Sequence, residues 1–149
     1  MLKNRLILCG ESVIRDAETN RMSVINLTEN IAAQSFPAFI PKISVLGVFT
    51  REQGDAQRAT LRLTGKIGTT ELINTDCNLN FEDKTTTRFM VAILGFALIG
   101  PGKLVFTFFE AKKKLGSLEI PILLQGEPEI KKFTDKKGKA TKRAAFTKG

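Results

Sequence analysis

The chain has 149 residues, with 23 Lys and Arg against 15 Asp and Glu, a net charge of +8. Hydrophobic residues make up 42% and charged residues 26%, the balance of a globular domain rather than a disordered chain. With no His and only two Cys, it can build no Ser-His-Asp or Cys-His catalytic set, no His-ligated metal site and no four-thiolate zinc site.

At the N-terminus, Lys3 and Arg5 precede an apolar run of only Leu6 to Cys9, and Glu11, Arg15 and Asp16 follow at once. An export signal wants roughly 7–15 apolar residues there, so a cytoplasmic protein is expected. Cys9 and Cys77 are then expected as free buried thiols, with an inter-sheet disulfide as the alternative. A polar turn, Asp16–Asn20, separates Val13–Arg15 from Met22–Leu27. Ile43–Thr50 is β-branched and aromatic, and Gln53-Gly54-Asp55 closes it. Ala59–Lys66 alternates strictly: Leu61 and Leu63 on one phase, Thr60, Arg62, Thr64 and Lys66 on the other. Cys77–Phe81 alternates likewise, and period 2 with one apolar face marks a half-buried antiparallel strand.

Phe89–Leu94 and Leu104–Phe109 are apolar on both phases. Thr87 could cap a helix over Arg88–Ile99, but Gly95 and the Gly100-Pro101 break favour a strand. The same stretch, Phe89 to Ile99, is the longest apolar run and falls short of the ~18–20 residues of a spanning helix, so no membrane partner is expected. Leu118, Ile120, Ile122 and Leu124 form the last alternating set, with Pro121 on the outward phase, as suits an edge strand. Short strands with turn chemistry between them predict an all-β fold, an antiparallel immunoglobulin-like β-sandwich of about seven to nine strands.

Charge divides the chain. Residues 131–149 hold Lys131, Lys132, Lys136, Lys137, Lys139, Lys142, Arg143 and Lys148 against one acid, Asp135, while the remainder is nearly neutral. The expected organisation is a folded body over 1–130 and a basic C-terminal tail over 131–149.

Three segments carry a resemblance. Val24-Ile25-Asn26-Leu27 leads through Glu29-Asn30-Ile31 to Phe36-Pro37. Ile43–Thr50 is closed by Gly54 and followed by Ala59–Lys66. Pro101-Gly102-Lys103-Leu104-Val105-Phe106 is followed by a hairpin and Leu118 to Ile122. Together they resemble a bacterial domain-of-unknown-function family of small one-domain immunoglobulin-like β-sandwich proteins. The resemblance implies the fold over most of 1–125 and supplies no catalytic residue. The chain departs from the pattern at Glu110–Gly116, where Ala111-Lys112-Lys113-Lys114 stands in place of a tight Asp-Gly hairpin.

No catalytic, cofactor-binding or metal-binding residue is assigned. Asp16 with Glu18, Glu52 with Asp55, and Glu82 with Asp83 are expected to be turn residues. In Leu104–Phe109, Val105 and Phe109 share one phase and Phe106 and Phe108 the other. One phase must face the core. If Val105 and Phe109 share an outer face with Met90 and Leu94, something must cover that face: a second copy, a protein partner, or the chain's own Asn30–Pro41 segment with Phe36 and Phe39. Val105 and Phe109 are therefore the candidate interface. The expected function is a non-enzymatic interaction or structural module that self-associates. The alternative is a nucleic-acid-associated accessory protein whose tail contacts phosphates, with Phe133 and Phe146 for stacking.

Overall fold

A computed structural model describes residues 1–125. The tail over 131–149 and the boundary at 130 lie outside the described residues. Nine strands make up the regular structure: β1 (Lys3–Arg15), β2 (Met22–Leu27), β3 (Ile31–Ala33), β4 (Ala38–Thr50), β5 (Arg58–Ile67), β6 (Thr70–Asn80), β7 (Thr86–Leu98), β8 (Gly102–Glu110) and β9 (Lys113–Leu124). They form two sheets, a four-stranded one in the order β2-β1-β4-β7 and a five-stranded one in the order β3-β9-β8-β5-β6. The protein is all-β and sandwich-like. No helix among the described residues is long and apolar enough to cross a membrane.

The expected antiparallel pairing holds for every strand pair but one. β3 runs parallel to β9, with Ile31 against Ile122 and Ala33 against Leu124. The chain reaches β3 by crossing from the four-stranded sheet, so β3 meets β9 directly without the hairpin that would force an antiparallel pair. Among the described residues no strand pairs with Lys113–Pro121 of β9 on that side, and Pro121 costs no ladder hydrogen bond there.

Alternation puts one phase of each strand inside. Ile7 and Cys9 of β1, Ile43, Val45 and Phe49 of β4 and Ile93 of β7 face Leu61 and Leu63 of β5, Cys77 and Leu79 of β6, Leu104, Phe106 and Phe108 of β8, and Ile120 and Ile122 of β9. Phe49 and Phe108 meet edge to face at 5.0 Å, and Phe89 closes on Phe108 at 6.4 Å. Gly47 and Gly65 are needed for this packing. A Cβ on Gly47 would come within 2.9 Å of Phe108, and one on Gly65 within 2.8 Å of Phe106.

The stretch weighed as a helix is β7, a strand of 13 residues. Halfway along it the phase inverts: Phe89, Val91 and Ile93 point inward, then Phe96 and Leu98. Gly95 at φ +65 makes the inversion, and β4 inverts with it, from Ala38 and Ile40 to Ile43 and Val45. Ile40 pairs with Phe96 and Lys42 with Leu94, so Pro41 lies across from Gly95 and register is kept.

Candidate interaction surface

The two outer faces are built from different residues. On the five-stranded sheet, register places Asp76, Arg62 and Phe109 in one row across β6, β5 and β8. A second row is Asn74, Thr64, Thr107 and Ser117, and a third is Lys66, Val105 and Glu119. Arg62 pairs with Asp76 at 2.8 Å and donates to Asn74 Oδ1 at 2.6 Å, and Lys103 pairs with Glu119 at 3.5 Å. This face is polar and cross-linked, as the strict alternation of β5 predicts.

Val105 and Phe109 lie on this face, half-buried among those charged neighbours, while Phe106 and Phe108 are fully buried in the core. Met90 and Leu94 are not with them. They belong to β7 in the other sheet, so the single outer face proposed for all four residues does not exist. Of the Asn30–Pro41 segment weighed as a cover, Phe36 packs against the core and Phe39 is exposed on β4 of the four-stranded sheet. Apolar residues on two strands fix a phase on each strand and say nothing of which sheet each joins.

The four-stranded sheet is the reverse. Leu8, Leu46 and Met90 form one row across β1, β4 and β7. Leu6, Val48 and Arg88 form the next, and Gly10, Ser44 and Ala92 another. These residues occupy the phase opposite Ile7, Cys9, Val45 and Ile93, so they face outward. Leu46, between Leu8 and Met90 in its row, is nevertheless only 4% exposed. The large hydrophobic side chains exposed on strands, Leu6, Ile14, Ile25, Leu27, Phe39, Met90 and Leu94, all belong to this sheet and none to the other.

At one end this face opens into a cleft of about 590 Å³ lined by Arg15, Asn20, Met22, Lys84, Arg88 and Met90, among others. Arg88 donates to the Asn20 carbonyl at 2.9 Å and Arg15 to Asn20 Oδ1 at 3.3 Å, so the β1–β2 turn is held over the sheet by two guanidinium groups. The cleft is rich in cations, with Glu82 as its acid.

The paired loop acids serve the turns. Asp16 Oδ1 accepts from the N–H groups of Glu18 at 2.8 Å and Thr19 at 3.3 Å, which hold its carboxyl below the usual range. Asp55 Oδ2 accepts from the Glu52 N–H at 3.0 Å, and Asp83 exchanges two hydrogen bonds with Gln57. Among the described residues no group of three or more His, Cys, Asp or Glu converges as a metal site. Cys9 and Cys77 are both free and buried. They lie on different sheets, Cys9 on β1 of the four-stranded one and Cys77 on β6 of the five-stranded one. Burial pushes each thiol up to about 12.

One residue escaped the sequence reading. Arg51 is 7% exposed, donates Nε to the Lys84 carbonyl at 2.8 Å and Nη1 to the Asp55 carbonyl at 2.9 Å, and stacks 5.4 Å over the Phe81 ring. It ties the β4–β5 loop to the β6–β7 turn. No motif marks such a role, because its acceptors are main-chain carbonyls brought in by topology. Compared with family models and with curated proteins, the chain has no match.

Proposed function

We propose that the protein is a non-enzymatic interaction module that associates with itself through its four-stranded sheet. The observation that carries this reading is the segregation of exposed apolar side chains onto that sheet while the other outer face is ion-paired and polar. A monomer that leaves Leu6, Met90 and Leu94 in water forgoes about 1.5–3 kcal/mol for each side chain that could be buried. The order β9-β8-β5-β6 with β3 parallel at its edge supports an immunoglobulin-like reading, since the G, F, C and C′ strands of variable-type domains are neighbours in that order. Asp16 and Asp55, engaged in turn hydrogen bonds, and Asp83, held by Gln57, support a role without catalysis.

Sedimentation equilibrium of the full chain and two variants tests the reading. Met90→Glu should dissociate the oligomer, and Phe109→Glu, on the other sheet, should leave it associated. A wild-type chain that stays monomeric at high concentration defeats the reading.

The eight basic residues of 131–149 favour a second reading, contact with nucleic-acid phosphates. Its test is duplex binding that weakens steeply with salt and disappears when those eight residues are replaced by Gln.

A further inference from the structure

Two guanidinium groups meet at one neutral residue beside the four-stranded sheet. Arg88 of β7 donates to the Asn20 carbonyl, and Arg15 of β1 donates to Asn20 Oδ1. A guanidinium has five N–H donors and no acceptor, so one bond to Asn20 leaves most of each group uncommitted. Lys84, in the β6–β7 turn, lines the same cleft. Among the described residues none of these three cations is ion-paired. The cleft therefore gathers three positive charges against the one negative charge of Glu82.

The two turns that form the walls are fixed by their own hydrogen bonds. In the β1–β2 turn, the Asp16 carboxylate accepts from the Glu18 and Thr19 N–H groups, and the Asp16 carbonyl accepts from the Asn20 N–H at 2.8 Å. In the β6–β7 turn, Asn80 Oδ1 accepts from the Glu82 N–H at 3.1 Å, and the Lys84 carbonyl accepts from Arg51 Nε at 2.8 Å. Arg51 thus anchors the backbone from which Lys84 reaches the cleft. Walls held in this way make a preformed site, the usual condition of a small-molecule pocket.

We propose that this cleft binds a small organic phosphate monoester, with the phosphate held by Arg15, Lys84 and Arg88. Charge selects the phosphate. A monoester carries about −1.5 to −2 at pH 7 and balances the cationic surplus, whereas a carboxylate, a sulfate ester or a phosphodiester is a monoanion and leaves a cation over. Guanidinium forks match phosphate oxygens in pairs, and Thr86 adds a hydroxyl. The rest of the lining selects an organic body over the bare ion. Met22, Val48 and Met90 supply apolar surface, and the cleft's volume of about 590 Å³ falls among the ~300–1,000 Å³ of small-molecule sites. The site is built within one chain, so it stands apart from self-association and from the basic tail.

Phenyl phosphate and phenyl sulfate, alike in shape and unlike in charge, test the site on the isotopically labelled full chain at about pH 8, where the monoester is a dianion. In heteronuclear NMR titrations phenyl phosphate should shift the Asn20, Lys84 and Arg88 amides saturably, and bind at least about tenfold more tightly than phenyl sulfate. Inorganic phosphate, which lacks the ring, should bind more weakly than phenyl phosphate. Lys84→Gln and Arg15→Gln, both at exposed side chains, should each weaken binding about tenfold with unchanged far-UV circular dichroism. Lys66→Gln, on the outer face of the other sheet, should bind as the wild type does. Equal affinity for the two esters, or wild-type affinity in either cleft variant, overturns the proposal. So does the absence of saturable shifts, or shifts confined to residues 131–149 or spread over the surface lysines at large.

Discussion

The outer faces of the two sheets have the same secondary structure and opposite chemistry. Across the five-stranded sheet, polar and charged residues meet in rows, Arg62 bridges Asp76 and Asn74, and the hydrophobic side chains Val105 and Phe109 are half-covered between them. Across the four-stranded sheet the rows are Leu8–Leu46–Met90 and Leu6–Val48–Arg88. The first face is finished against water. The second buries Leu46 and Ser44 and still leaves Leu6, Met90 and Leu94 exposed. Hydrophobicity on both phases of a strand therefore has two outcomes. On β8 the surplus is half-covered within the sheet, and on β7 Met90 and Leu94 are left exposed.

The largest test of this contrast sets the two phases of β8 against each other. Phe106→Lys places an unpaired charge among fully buried side chains and should abolish the cooperative unfolding transition. Phe109→Lys, half-exposed between Arg62 and Lys114, should cost about 1 kcal/mol and leave the circular dichroism unchanged. If both variants unfold, the outer phase of β8 is not the surface described above.

A second test compares the two outer faces. Leu46→Ala removes a side chain buried on an outward phase and should cost about 2–3 kcal/mol in urea melts. Arg62→Ala breaks an ion pair whose members are about half exposed, and should cost less than about 1 kcal/mol. Equal costs would erase the distinction between an apolar face and a polar one.

Much of this fold is legible from residue order alone. The alternation of Leu61 and Leu63 against Thr60, Arg62 and Thr64 fixes a strand and its inner face, and Gly54, Gly68 and the Asp16–Asn20 segment mark turns where turns occur. Sheet membership is not legible, because period 2 describes one strand and pairing is decided by distant partners. That is why Phe109 and Met90 look alike in sequence and lie on different sheets. The parallel β3, three residues long, has too few positions to show a period. The Pro41–Gly95 inversion is hidden for another reason: each strand alone reads as a broken alternation, and only their pairing shows that the breaks coincide.

The inner faces should behave alike where the outer ones differ, and each contributes one thiol. Cys9 is 1% exposed and Cys77 fully buried. With the folded value raised to about 12 and the unfolded value near 9, each thiol leaves stability whole below pH 9. Above that the unfolded state ionises first, and stability should fall by up to about 1.4 kcal/mol per pH unit per thiol until pH approaches 12. Urea melts between pH 8 and 10.5, with Cys→Ala variants as controls, measure the slope. In native protein both thiols should resist a maleimide, and rapid labelling of one alone would mean that its sheet is open where the other is closed.

The smallest expected effect lies in two turns of the five-stranded sheet. Glu110 pairs with Lys113, so β8 and β9 are joined by a tight two-residue hairpin, Ala111-Lys112, without the Gly that such turns favour. Ala111 takes φ +55, where a Cβ costs about 1–2 kcal/mol. Ala111→Gly removes that cost and adds about 0.4–1 kcal/mol of unfolded-chain entropy, so the net gain should be a few tenths to about 1 kcal/mol. Gly68, at φ +60 in the β5–β6 turn, is the reciprocal case: a Cβ there meets nothing within 4 Å, so Gly68→Ala isolates the conformational cost and should destabilise by about the same amount. Both turns belong to the sheet whose outer face is already satisfied. The two variants should therefore shift thermal unfolding in opposite directions while the association measured by sedimentation stays as in the wild type. A turn variant that altered association would place that hairpin at the contact and move the contact off the four-stranded sheet.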